Sequence, residues 1–171
     1  MKSDLAGNID SSYQINDENN WFFNNVLTKL GFLYEQQFAN IGWNYPTPLK
    51  HPYYLQHLWV NYQKQHDFNP THHHKGVYSF VIWMQIPTDY EDQKKNPIAI
   101  SNTNAISNFN FLYQDILGRI ETYTYEMSKE CEGTILFFPS ELNHAVNPFY
   151  NCEEDRITIS GNICLDTREV V

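Results

Sequence analysis

Three consecutive histidines, His72, His73 and His74, sit in the stretch "DFNPTHHHKGVYSFVIWMQIP" (67–87), just after Pro70 and just before an apolar run. Side chains on an extended segment alternate sides, so His72 and His74 project together while His73 points away. Two imidazoles at i and i+2 can meet one cation, which adjacent ones cannot easily do. Pro70 biases Asn69 toward an extended backbone, which suits a ligand pair at a strand entrance. Clustered histidines in a loop can equally face solvent, so a metal-site reading needs a third, remote ligand.

The second half of the chain supplies a candidate. "GTILFFPSELNHAVNPF" (133–149) runs a buried strand into a proline-containing turn and presents His144 at the start of the next strand. Twelve residues later Arg156 opens "RITISGN" on an apolar strand. A cation there is costly to bury unless it meets an anion. That anion is either one of the neighbouring Glu153, Glu154 and Asp155, in a local salt bridge, or the carboxylate of a ligand.

The elements that must position these residues are a helical segment followed by short strands. From Asp17 to Gly42, Phe22, Val26, Leu30, Tyr34 and Phe38 form an apolar stripe spaced by four. Asp17 or Asn19 is placed to cap its start, Gly31 to divide it, and the prolines of "GWNYPTP" to end it. Residues 1–16 read as an extended lead-in. Beyond Pro52, residues 55–63, 76–86, 98–102, 108–115, 119–127, 133–139 and 156–165 read as strands separated by turn chemistry. Seven or eight such strands predict an antiparallel sandwich or jelly roll with a β core over 55–165, in one domain spanning 1–171. Trp59 and Trp83 read first as core and second as pocket wall.

Composition narrows the classes. The 171 residues are 42% hydrophobic and include 12 Tyr, 11 Phe and 4 Trp, enough for one well-filled core. The formal charge of −9, with 11 Lys plus Arg and no basic cluster, argues against nucleic acid as partner. Cys131, Cys152 and Cys164 have no paired spacing and read as reduced thiols of a cytoplasmic protein. The N-terminus lacks the apolar core of a signal peptide, and no stretch approaches the roughly 18 apolar residues of a membrane span.

Four fragments in order carry a resemblance: N-P-x-H-x-H (Asn69–His74), G-x-x-S-F-V (Gly76–Val81), F-P-S-x-L-x-H-x-V-x-P (Phe138–Pro148) and R-I-x-I-S-G-N (Arg156–Asn162). Together they resemble the 2-oxoglutarate-Fe(II) oxygenases, and more narrowly a small subgroup found in phages and marine bacteria. "LAGNI" (5–9) and "LWVNYQ" (58–63) are similar to that subgroup's lead-in and first core strand. The resemblance implies a mainly β fold, a double-stranded β-helix of jelly-roll or cupin type with the N-terminal helical segment packed on it. It also implies Fe(II), 2-oxoglutarate and O2, with hydroxylation of a small-molecule or peptide substrate and release of succinate and CO2. By position, His72 matches the proximal histidine, His144 the distal one, and Arg156 the residue that pairs with the far carboxylate of 2-oxoglutarate. Thr158 fits the hydroxyl of an R-x-S/T pair, and Asn61 is a co-substrate contact. Tyr62 is equally an ordinary core residue. The resemblance places the protein in the cytoplasm, of the host if phage-encoded, and is compatible with a homodimer.

One departure stands out. The usual triad is two histidines and a carboxylate, whereas here His74 occupies the carboxylate position. Asp67, five residues before His72, would need an unusual loop to take that place. Three imidazoles leave open a three-histidine cupin-type dioxygenase that uses no 2-oxoglutarate, and they would also hold zinc. A non-catalytic jelly-roll binding or virion module is the remaining alternative.

Overall fold

Alternation along each strand decides which face it gives to the interior. The computed structural model describes residues 7–38, 50–101 and 105–169. Its described strands are β1 (Ser11–Gln14), β2 (Tyr53–Gln63), β3 (Asn69–His72), β4 (Tyr78–Gln85), β5 (Asn108–Gln114), β6 (Ile120–Glu126), β7 (Ile135–Pro139), β8 (Asn143–Val146) and β9 (Arg156–Leu165). They form a five-stranded sheet, ordered β1-β2-β9-β4-β7, and a four-stranded sheet, ordered β3-β8-β5-β6. Every strand pair is antiparallel. The result is the jelly-roll form of a double-stranded β-helix.

On β4, Val81 and Trp83 turn inward to join Ile86, Phe109, Phe111, Met127 and Phe138 between the sheets. Tyr78 and Phe80 turn outward, where Leu27, Leu58, Val77 and Ile163 complete a second cluster beneath the N-terminal helix. Each such side chain contributes roughly 1.5–3 kcal/mol when fully buried. The two clusters therefore fix both the sandwich and the seat of the helix.

Asp17 starts that helix. Its two carboxylate oxygens accept from the backbone N–H groups of Phe22 and Phe23, both at 2.8 Å. A single π-helical turn, Phe23–Leu27, then leads into α1 (Thr28–Gln37). The extra residue of that turn shifts the face, so Leu27 rather than Val26 is the buried position. Gly31 does not divide the helix, which continues through it. Residues 39–42 of the expected helix, and all of its expected stop, lie outside the described residues.

One expectation needs correction. Residues 98–101 form no strand; Pro97–Ala99 is a 3-10 turn, and Asn102 lies outside the described residues. Pro97 presets a helical φ, and the Asn96 side chain accepts from the Ile98 N–H at 3.2 Å, so turn chemistry outweighs the apolar pattern. The lead-in also does more than run extended: Ser11–Gln14 pairs with β2 as an edge strand. The charged loop after β4 holds a short helix, α2 (Tyr90–Lys94), capped by Asp89.

Gly161 marks a close approach. A Cβ there would stand 2.6 Å from Phe80 Cζ and 2.7 Å from the His57 carbonyl oxygen, and the backbone atom cannot swing away. Gly161→Ala should therefore lower stability by about 2 kcal/mol in denaturant unfolding. An unchanged midpoint would show that β2 and β9 have room to part. No described helix is long and apolar enough to cross a membrane.

Candidate metal centre

The pairing of β3 with β8 sets His72 directly opposite His144. On its other side His144 faces Phe111 of β5. His74 lies two residues past the end of β3, where its N–H donates to the Ser140 carbonyl at 2.8 Å and holds the turn in place. The ring centroids are 4.3 Å apart for His72 and His144, 5.0 Å for His72 and His74, and 5.1 Å for His74 and His144. One ring nitrogen from each lies within 4.8 Å of the others, a set that could hold a metal ion. His73 is exposed and is not part of this set.

Tautomers follow from the partners. Nδ1 of His72 lies 2.7 Å from the Pro70 carbonyl, and Nδ1 of His144 lies 2.8 Å from the Leu142 carbonyl. A carbonyl can only accept, so both Nδ1 atoms carry protons and both Nε2 atoms keep free lone pairs. Phe109 stacks on His144 at 5.6 Å and 19°, and Trp59 meets His74 edge-on at 6.0 Å. Burial, followed by repulsion from His72, pushes His74 down to about 4 and His144 to about 3. Burial also lowers His72, against an opposing hydrogen bond to Pro70. All three rings are therefore neutral at pH 7, the form that ligates metal.

These depressed values imply a pH dependence. Between the ordinary histidine value of 6.5 and about 4, the unfolded chain binds protons that the folded His74 does not. Stability must then rise with pH across that window and fall on acidification. The metal-free protein should lose melting temperature steadily from pH 6.5 to 4, with a shallower slope in His144→Asn. Equal slopes for the two proteins would show that these rings are not the cause.

The donor set fits a borderline transition metal and lacks a carboxylate. Asp67 faces elsewhere, accepting from the N–H groups of Asp10 at 2.7 Å and Lys64 at 2.9 Å. Three neutral nitrogens suit Fe(II) or Zn(II).

Arg156 is the second element of the site. It begins β9 opposite Gln63 of β2 and is 1% exposed. Nε donates to Gln63 Oε1 at 3.1 Å, one terminal nitrogen (Nη2) donates to the Asn147 carbonyl at 3.0 Å, and the guanidinium carbon stands 5.1 Å from the Phe149 ring centre. The other terminal nitrogen (Nη1) is buried with no partner. Among the described residues no salt bridge joins Arg156 to Glu153, Glu154 or Asp155, so the local-pairing alternative fails. Glu153 instead accepts from Gln65. Burial lowers Arg156 to about 9, with Asp67 opposing the shift. A charged fork with one unpaired buried nitrogen is the donor a carboxylate ligand needs.

Thr158 sits opposite Asn61, whose side-chain nitrogen reaches the Thr158 hydroxyl at 3.5 Å; the Asn61 oxygen accepts from Ser12. The three histidines, Asn61, Gln63 and Thr158 line one cavity together with Trp59 and Trp83. The tryptophans are thus both core and wall. Arg156 is not among the lining residues but bonds to one of them, Gln63. The sequence reading missed Gln63 and Asn147. The available signal for Gln63 was its alternation with Trp59 and Asn61, which places three residues on one inward face of a central strand.

No curated protein matches the chain. Among solved structures, the viral collagen prolyl hydroxylase of Paramecium Bursaria Chlorella virus-1, in its 2OG complex, aligns at a TM-score of 0.50. That match has 10% identity and covers 90% of this chain and 77% of that one, which supports the jelly-roll fold. An oxidoreductase of the 2OG-Fe(II) oxygenase family from Burkholderia pseudomallei aligns at a TM-score of 0.45 with 12% identity, over 82% of this chain. The chain spans 59% of that protein's length. The family model described as "Putative 2OG-Fe(II) oxygenase" matches residues 57–162, which run from β2 to β9 and include the three histidines and Arg156. The chain therefore belongs to the 2OG-Fe(II) oxygenase family.

Proposed function

We propose that this protein is a 2-oxoglutarate- and Fe(II)-dependent dioxygenase that hydroxylates a small molecule or peptide. The supporting observation is the buried Arg156, which keeps one nitrogen unpartnered and bonds to Gln63, a residue that lines the same cavity as the three histidines. His72, His74 and His144 hold the metal. The bound iron, with 2-oxoglutarate and O2, supplies oxidative decarboxylation to succinate and CO2 coupled to hydroxylation of a C–H bond. Arg156 binds the carboxylate far from the metal, and the Thr158 hydroxyl and Asn61 amide line its approach. Trp59, Trp83 and Phe109 exclude water from the metal side. Residues 1–171 act as one domain, and the three free cysteines suit a cytoplasmic setting.

Adding 2-oxoglutarate to the anaerobic Fe(II) protein should give a visible charge-transfer band, and admitting air should release succinate. Bound metal with neither band nor succinate would contradict the proposal. The all-histidine cluster favours a second reading, a three-histidine dioxygenase that needs no 2-oxo acid. On that reading Arg156 variants leave metal binding and turnover unchanged.

A further inference from the structure

We infer that Gln63 is a positioning residue that holds the Arg156 guanidinium in place with a neutral acceptor and ties it to the metal-bearing strand. The inference rests on the proposed binding of 2-oxoglutarate at Arg156. Gln63 is 2% exposed and makes two side-chain hydrogen bonds with different jobs. Its Oε1 accepts from Arg156 Nε at 3.1 Å, and its Nε2 donates to Asn69 Oδ1 at 3.1 Å. A primary amide has one accepting end and one donating end. Arginine offers only donors, so the Gln63 oxygen must face Arg156, and the Gln63 nitrogen is left to donate to Asn69 Oδ1, which anchors the amide that holds the guanidinium plane.

Charge explains why an amide serves here. Gln63 and the Asn147 carbonyl satisfy two guanidinium nitrogens with uncharged oxygens, and the cation keeps its full charge for an incoming anion. A carboxylate at position 63 would orient the fork equally well but would neutralise it. The Asn69 end matters as much. Asn69 is the first residue of β3, and the next residue, Pro70, lends its carbonyl to the His72 ring. One buried amide thus spans from the carboxylate anchor to the strand that presents a candidate ligand.

Gln63→Glu and Gln63→Met separate this role from simple packing. Each variant, in its anaerobic Fe(II) form, is titrated with 2-oxoglutarate, alongside Fe(II) affinity and melting temperature. Gln63→Glu should weaken 2-oxoglutarate about tenfold or more, the scale of one charge-assisted hydrogen bond. Gln63→Met leaves the charge free but loosely held and should fall between wild type and Gln63→Glu. Fe(II) affinity should stay near wild type in both, and kcat of Gln63→Glu should recover at saturating 2-oxoglutarate, placing the effect in KM. A packing role gives the opposite order, because glutamate is nearly isosteric with glutamine and methionine is not. That order, or wild-type 2-oxoglutarate affinity in Gln63→Glu, overturns the inference while leaving the dioxygenase reading in place. A wild-type protein that binds Fe(II) but no 2-oxoglutarate overturns both.

Discussion

Replacing Arg156 with methionine should weaken 2-oxoglutarate binding by two to three orders of magnitude while Fe(II) still binds. The scale follows from removing one partner of a buried, hydrogen-bonded charge pair, taken at about 3–4 kcal/mol. Methionine preserves length and apolar bulk beside Phe149 but offers no donor to an anion. The fold should tolerate the change, because two effects oppose each other. Gln63 Oε1 and the Asn147 carbonyl lose a partner, while a buried cation with no ion pair is removed. Arg156→Lys should be intermediate, keeping the charge without the planar fork. Equal, measurable 2-oxoglutarate affinity in wild type and Arg156→Met would remove Arg156 from the site, and no detectable binding in either would favour the dioxygenase that uses no 2-oxo acid.

The second large effect belongs to His144. Wild-type protein with Fe(II) or Zn(II) at about a hundred times its dissociation constant should gain about 2.7 kcal/mol of stability, visible as a rise in melting temperature. His144→Ala should abolish that rise. His144 is 4% exposed, pairs in register with His72, and stacks on Phe109, so no other described side chain can take its position. The deletion also leaves a cavity, so the metal-free variant melts lower; the comparison is therefore between metal-loaded and metal-free forms of each protein. His74→Asp, which restores the usual carboxylate, should keep the rise. A full metal-induced rise in His144→Ala would show that the ion binds elsewhere.

How much of this was legible follows from which residues repeat at short range. His72 and His74 share a side through the two-residue period, and the alternation in 156–162 places Arg156 and Thr158 on one face. Their meeting with His144 depends on the β3–β8 register, a long-range pairing that no local pattern encodes. The resemblance supplied that link. Gln63 escaped because one glutamine at the end of a strand reads as a surface residue until the β2–β9 register sets Arg156 beside it. The strand expected at 98–102 failed because "PIAI" is apolar enough for a strand, while Asn96 and Pro97 close a turn first. In the helical stripe Phe22, Leu30 and Tyr34 do pack against the core, but Leu27 replaces Val26, since a π turn breaks the spacing of four, and Phe38 is exposed.

A structure of the metal-loaded protein with 2-oxoglutarate, or its inert N-oxalyl analogue, tests the central claim most directly. The predicted result is one ion ligated by His72, His74 and His144, with the far carboxylate of the 2-oxo acid on the free nitrogen of Arg156. An ion bound away from these rings, or a carboxylate that leaves Arg156 untouched, would contradict it.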